Sequence, residues 1–517
     1  MVLALLVLVV AGTSAWAIFR WPIAWSETLI WVLALQNAVV ITVWVITKSA
    51  TVGRDLLYVK EALVAGAIVV GVVEALRLVA AGRGTAILWL ALAFGGLCAI
   101  WVPISYFRHE PLEQIARGLR SVAYPVLLLV VGMVMIPPGG VIRLRRTLWL
   151  TAIVLGAAVI VERDFIPTRF WLDINLQKYW VDVKGISPSF LNGGLPWNFF
   201  LQINTGVVRR GVGIMTDPLD LSYYLLLPFA LALSELCRPD LRGHQVWLPG
   251  AAALFSAIGV MWTLSRAPIA ILVAIAIAVP AFEIYKRRQL LTRAIATPVA
   301  AALILGVIGA LALATATRVS STDLFQSASR GQTASPAPIV SPSSGQTASP
   351  TSPESPSSPS ATSAPIAPLG SDTLPTHVSA TIDRVRSNWH AVVFGGGLGS
   401  AGVLSSKFIA ANLSSYENFY LDTSAQVSII GGLLVAAILV WSAVTLMRAG
   451  LRDGDIRFPA GVTLGALAAA GMVSDQLEVL TSLGLTWFIC GVLLREAFDS
   501  ARGPRPDQRT PENAQAP

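Results

Sequence analysis

A chain of 517 residues that is 55% hydrophobic and only 13% charged, with a mean hydropathy of +0.67, is not a soluble globular enzyme. The bilayer is its solvent. The formal charge of +8 comes from Lys and Arg spread over short segments between apolar runs, as the positive-inside rule requires, so no nucleic-acid partner is expected. Cys98, Cys237 and Cys490 lie in or beside apolar runs, which leaves the polar loops without a disulfide framework.

In chain order, the first apolar run lacks a basic leader and meets Arg20 rather than a small-residue cleavage site, so it is expected to stay as a span. Runs approaching the roughly 20 residues of a transmembrane helix follow at Val2–Phe19, Ser26–Thr47, Ala62–Ala81, Thr85–Tyr106, Val122–Pro137 and Thr147–Val161. Others cover Leu219–Leu236, Val246–Leu264, Ala267–Ile284, Ala294–Ala316, Ser424–Met447, Ala460–Ser474 and Leu477–Leu494. The predicted fold is an all-α polytopic membrane protein of about 12–13 transmembrane helices with a large extracytoplasmic loop. Its segments are N-terminal helices 1–161, an outer loop 162–218, central helices 219–316, a second outer loop 317–423, C-terminal helices 424–494 and a disordered cytoplasmic tail 495–517. Basic loops around Arg145, Arg238, Arg288, Arg452 and Arg495 all fall on the cytoplasmic side of one alternation in a multi-pass protein of the cytoplasmic membrane. The alternation is weaker early in the chain, where Lys48, Arg54, Lys60, Arg108, Arg117 and Arg120 fall outside. Between Ser327 and Pro368 the chain is nearly all Ser, Pro, Thr, Ala and Gly, too poor in apolar groups to offset the entropy of ordering, and is expected to be disordered.

The first outer loop holds Arg163, Arg169, Lys178, Lys184, Arg209 and Arg210 on the side where few cations are expected, which asks for an anionic partner. It ends in Asp217-Pro218, an N-cap followed by the residue favoured at the first helical position, so Asp217 reads as structural. The turn at Ser265-Arg266 sets another guanidinium at the membrane edge, where it can either grip two phosphate oxygens or snorkel to headgroups. Beyond the insert come Trp389-His390, the glycine cluster Phe394–Ser400 and Glu417-Asn418-Phe419-Tyr420. The glycine cluster has no following Gly-Lys-Ser/Thr and no strand-turn-helix context, so close backbone packing explains it better than a nucleotide site.

Taken together, the Arg-x-x-Gly stretch from Arg210 to Pro218, the Ser265-Arg266 turn, the segment Phe394–Ser400 and Glu417–Tyr420 resemble the O-antigen ligase and polymerase superfamily, membrane glycosyltransferases that use polyprenyl-pyrophosphate-linked glycans. The likeness covers the half of the chain from Arg209 to Gly432 and rests on the order and common side of motifs that are individually unspecific. It implies that Arg210 and Arg266 bind the donor pyrophosphate, with Arg209, Asn418 and Tyr420 also lining the substrate site. The partners it implies are a polyprenyl-pyrophosphate-linked glycan donor, a glycan or glycolipid acceptor and membrane lipid, with no cofactor and no metal. Many members carry His-Asn where this chain has Glu417-Asn418, which makes Glu417 the candidate catalytic base, with helix capping as its structural alternative.

The remaining ionisable groups have plainer readings. Glu74 and Arg77 suit an internal pair, Asp453-Gly-Asp455 sits in a short basic loop with no α/β domain around it, Asp475 and Glu478 suit an outer turn, and His377 and His390 are fallback bases. A transporter or lipid flippase would also be helical and basic, but should show two similar halves with interrupted spans, which are not evident. A scaffold for envelope assembly stays open if the outer cations bind only headgroups. The charge pattern predicts that single cysteines replacing Lys178 or Asp372 react with an impermeant maleimide in intact cells, whereas cysteines replacing Arg145, Arg288 or Arg452 do not; outside labelling of Arg288→Cys would overturn the topology.

Overall fold

The computed structural model describes residues 2–186, 191–192, 195–203, 206–238, 241, 243–286, 318–319, 374–401, 416, 418–472, 474, 479 and 483–501. The expected span at Ala294–Ala316, the insert Ser327–Pro368, Glu417, Asp475 and Glu478 lie outside the described residues. The protein is an all-α polytopic membrane protein, and nine described helices are long and apolar enough to cross a bilayer. The first six long helices are α1 (Val2–Arg20), α2 (Pro22–Thr47), α3 (Ala50–Ala80), α4 (Ala86–Phe107), α5 (Leu112–Met135) and α6 (Val141–Ile160). A wider turn over Val161–Phe165 prolongs α6, followed by the short helices α7 (Thr168–Asp173) and α8 (Leu176–Lys178). Five short strands come next in the numbering: β1 (Leu191–Asn192) pairs with β2 (Leu195–Pro196), and β3 (Phe200–Ile203) forms an antiparallel hairpin with β4 (Gly206–Arg209), whose other edge takes β5 (Arg318–Val319). The helices continue as α9 (Pro218–Leu236), α10 (Trp247–Trp262), α11 (Arg266–Lys286), α12 (Leu374–Ser387), α13 (Trp389–Phe394), α14 (Phe419–Val427), α15 (Ile429–Asp453), α16 (Arg457–Ala470) and α17 (Leu485–Ala501).

Contacts at the two ends of the bundle define its faces. At one end, Arg54 donates to Asp182 O, Arg108 to Gly395 O, Gly211 N to Trp262 O and Phe419 N to Gly471 O, so the ends of α3, α4, α10 and α16 share a face with both long loops. At the other, Arg145 pairs with Glu235, Phe282 stacks on Phe458 at 3.9 Å, and Arg495 donates to Val134 O and Ile136 O. The early cations Lys48, Arg54, Lys60, Arg108, Arg117 and Arg120 therefore belong to the loop face, as the alternation required despite their charge.

Several boundaries differ from the sequence expectation. Helix α3 begins at Ala50 rather than Ala62 and α5 at Leu112 rather than Val122, so Lys60, Glu61, Arg117 and Arg120 sit within helices. Charge made these stretches read as loops, but their side chains pair across and along the helices. The run from Ser424 is not one span: it divides into α14 and α15 at Ser428, whose φ of 92° cannot continue a helix. Nor does the tail start at 495, because α17 continues to Ala501 and Arg495 ties it to carbonyls at the end of α5. Glu74 and Arg77 do pair, at 3.4 Å, but on an outward surface, so the pair orients no helix.

Without a hydrophobic drive between helices in lipid, close backbone approach carries their association. Helices α5 and α17 meet at Gly132 and Gly491, where a Cβ on either would strike the partner's carbonyl, Phe488 O or Leu129 O. Overpacking of this kind costs about 1–3 kcal/mol. Gly132→Ala should lower the melting temperature of the purified protein by several degrees, while Gly96→Ala, at a position with open space, should leave it unchanged.

Candidate functional site

The site grows from the end of α6. Its extra turn places Glu162 inside the protein, where the carboxylate accepts hydrogen bonds from the Arg209 guanidinium and from Val212 N (3.1 Å) and Gly213 N (3.3 Å). Arg209 also donates to Ile166 O at 2.7 Å, and both residues are almost wholly buried. Arg209, expected to bind substrate, is thus an internal partner: its charge is consumed by Glu162, and its work is to hold the next residues in place. Nearby, Trp262 donates to Asp164 at 3.0 Å and lies under the Arg163 guanidinium, while its carbonyl accepts from Gly211 N.

This frame fixes Arg210. Its backbone N–H donates to Phe199 O, Nε to Thr263 O (both 2.7–2.8 Å), and Nη2 to the Ser265 hydroxyl. The two basic stretches singled out in the sequence therefore touch. Burial pulls Arg210 down to about 10, and the field of Asp217 opposes that shift. Arg266 opens α11 with its side chain exposed and hydrogen-bonds no described residue. Asp217 is the N-cap expected, accepting from Leu219 N and Asp220 N, with Pro218 at the first helical position; its other oxygen accepts from Asn198 Nδ2 at 2.7 Å.

Two lysines, Lys184 in the loop before α9 and Lys60 in α3, lie within electrostatic reach of this helix start. Lys184 donates to Asn37 Oδ1 at 2.9 Å, while the same Asn37 holds Met215 O through its amide at 2.6 Å. Lys60 is 8% exposed and 3.7 Å from Glu61, and Glu61 takes a 2.9 Å hydrogen bond from Arg120. Burial, reinforced by Lys60 and Arg120, pulls Lys184 down to about 7 against Asp220 and Asp217. The available signal was the presence of charge more than two turns inside a helix, which in a membrane is rarely without purpose; placing the helix starts too late hid it.

On the other side of α5, the glycine segment is a packing device. Gly395, Gly397 and Gly399 have φ of 85°, 119° and 77°, and Cβ atoms there would strike Trp101, Glu110 and Gln114. Its N–H groups are bound to Ala425 O, Gln426 O, Ser105 Oγ and Gln426 Oε1, so they do not form an anion cradle. Glu110 is held above the usual carboxylate range by burial, which outweighs its Ser105 bond and the nearby Arg108.

Asn418 and Tyr420 are likewise committed to the fold. Asn418 caps α14 by accepting from Tyr420 N and Leu421 N and donates to Met472 O at 2.7 Å, and the Tyr420 hydroxyl donates to Ala468 O at 2.6 Å. His390 is exposed, its ring 3.5 Å from that of Trp389. Asp453 and Asp455 both pair with Arg457, which accounts for that Asp-Gly-Asp without any ligand. No protein-family model matches the sequence, and no curated protein matches it.

Glu162→Gln should be the most damaging single-atom change in this region. It leaves the Arg209 charge buried without its partner, a loss of about 3–5 kcal/mol for broken buried pairs. The variant should melt well below wild type or fail to accumulate in the membrane, whereas Arg169→Gln, in an exposed pair, should melt as wild type.

Proposed function

We propose that this protein is a membrane glycosyltransferase of the O-antigen ligase and polymerase kind, acting in polysaccharide biosynthesis at the cell envelope. It transfers a glycan from a polyprenyl-pyrophosphate donor to an acceptor sugar hydroxyl on the outer face of the cytoplasmic membrane, with the loop face outward. The observation that supports this reading most is the junction of Arg210 with the Ser265-Arg266 turn, which gathers two guanidinium groups on that face, one held by two hydrogen bonds and one exposed.

In the reaction, the acceptor oxygen bonds to the anomeric carbon as the bond from that carbon to the diphosphate oxygen breaks. The electron pair leaves on the lipid diphosphate, whose charge Arg210 and Arg266 stabilise. The acceptor proton passes to Glu417, and a direct displacement inverts the anomeric centre. Glu-Asn in place of His-Asn favours a polymerase over a ligase.

Arg266 gives the cleaner test of the diphosphate role, because Arg210 also holds the Thr263–Ser265 turn. With purified lipid-linked donor, Arg266→Lys should lose most of its turnover while melting as wild type, since an ammonium does not reproduce a planar fork. Glu417→Gln should keep donor affinity and lose about 10²- to 10⁴-fold in rate. Normal turnover by both variants would refute the assignment, and a normal Glu417→Gln beside an inactive His390→Ala would move the base to His390.

A further inference from the structure

The second outer loop carries a group of aromatic rings on its outward side. In α13, Val392 packs inward beside Ala401, Tyr416 and Ala425, while Trp389, His390 and Phe394 are exposed. Phe394 is 63% exposed, and its ring stands 6.3 Å from that of Trp389 and 6.4 Å from that of His390. With Trp389 and His390 only 3.5 Å apart, the three rings form one surface. A lone exposed apolar side chain needs no explanation, whereas a contiguous aromatic patch marks a contact.

The place of α13 in the fold says what covers it. The carbonyl of Gly395, next to Phe394, accepts from Arg108 at the end of α4. A Cβ on Gly395 would strike the Trp101 ring of α4 and stand 3.1 Å from Ser428 N, where α15 begins. Helices α4 and α15 both have the length and hydropathy of membrane spans, and these are their loop-face ends. Phe107, 77% exposed, closes α4, and Ile429 and Ile430 open α15 with exposed side chains. The rings of α13 thus continue the lipid-facing surface of two spans at the level where acyl chains give way to headgroups. Arg108, just beyond Phe107, and Arg386, in the last turn of α12, are both exposed and make the neighbouring polar surface cationic.

We propose that α13 is an interfacial helix that docks the second outer loop on the phospholipid leaflet of the loop face. Trp389, His390 and Phe394 enter the boundary between acyl chains and headgroups, where an aromatic body is apolar and its polar edge stays wet. Arg108 and Arg386 lie on the headgroup side, where a guanidinium meets lipid phosphates. Phospholipid suits this surface better than a second copy of the chain, because a two-fold contact through the same patch would bring these arginines toward their own copies. Docking fixes the depth of the glycine segment that follows α13 and packs against α4 and α14. The proposal rests on the spans α4 and α15 and is independent of the transfer reaction.

The test places a fluorophore on Phe394→Cys in the full-length protein, in a Cys237→Ser background because Cys98 and Cys490 are buried, and reconstitutes it in phosphatidylcholine nanodiscs. Lipids brominated near the ester end of the acyl chain should remove most of the emission, those brominated near the methyl end should remove less, and aqueous iodide should remove little. The same label on Asp383→Cys, at an exposed position of α12, should show the reverse order, with iodide the strongest quencher. Trp389→Cys carries the same expectation as Phe394→Cys and serves where the latter does not fold. If the label at 394 is quenched by iodide as strongly as the label at 383, α13 lies in water and the proposal is overturned. If it is shielded from iodide and from both brominated lipids, protein covers the patch, a second copy or another chain, and the proposal is overturned as well.

Discussion

The loop face is organised by one carboxylate. Glu162 sits at the end of a membrane helix, buried, and holds at once a guanidinium and two consecutive backbone N–H groups. Desolvating a charge there is costly, and the cost is offset because nearly every lone pair of the carboxylate has a donor. The consequence reaches beyond the pair. Fixing Val212 and Gly213 sets the direction in which the chain leaves β4, and that direction decides where Arg210 points and where Asp217 can cap α9. Arg210 then locks the α10–α11 turn through Thr263 and Ser265, so α6, α9, α10 and α11 share one anchoring point with the loop before α9.

This arrangement separates two kinds of arginine that look alike in sequence. Arg209 and Arg210 are adjacent, but strand geometry sends successive side chains to opposite faces. One is consumed internally, whereas the other is held at the surface of the frame with part of its fork unused. Partial commitment suits a group that must meet an anion: hydrogen bonds to neutral acceptors fix its orientation without neutralising its charge. Arg266 has the charge without the restraint. The site proposed here combines one preorganised cation with one adaptable cation.

How much of this could be read from the sequence depended on whether the relevant interaction was local. The Asp217-Pro218 helix start was legible, because capping is set by neighbours two and three residues away. The glycine segment was also legible as packing, since three positive-φ positions in a short stretch leave few alternatives. Helix starts at Ala50 and Leu112 were not, because hydropathy scores charge as exposure and is blind to Arg120 meeting Glu61 across 59 residues. The Arg209–Glu162 pair was hidden for the same reason, and Asn418 looked like a ligand when its nearest obligation was the cap of α14. Local chemistry is visible in a string of residues; long-range compensation is visible only after folding.

The contact between Gly132 and Gly491 has an evolutionary meaning. In most packed interfaces a larger residue on one side can be accommodated by a smaller one opposite, so the two positions drift together while the sum of their volumes stays constant. Here both positions already hold the smallest residue, and each faces the partner's backbone rather than its side chain. No exchange of volume is available. Change at either site can proceed only by moving α5 and α17 apart as rigid rods, and Arg495 and Glu496 at the end of α17 resist that displacement through their bonds to Val134, Ile136 and Gly139. The pair is a position where neutral drift stops, and its flanking helices inherit that rigidity however freely the loops above them diverge.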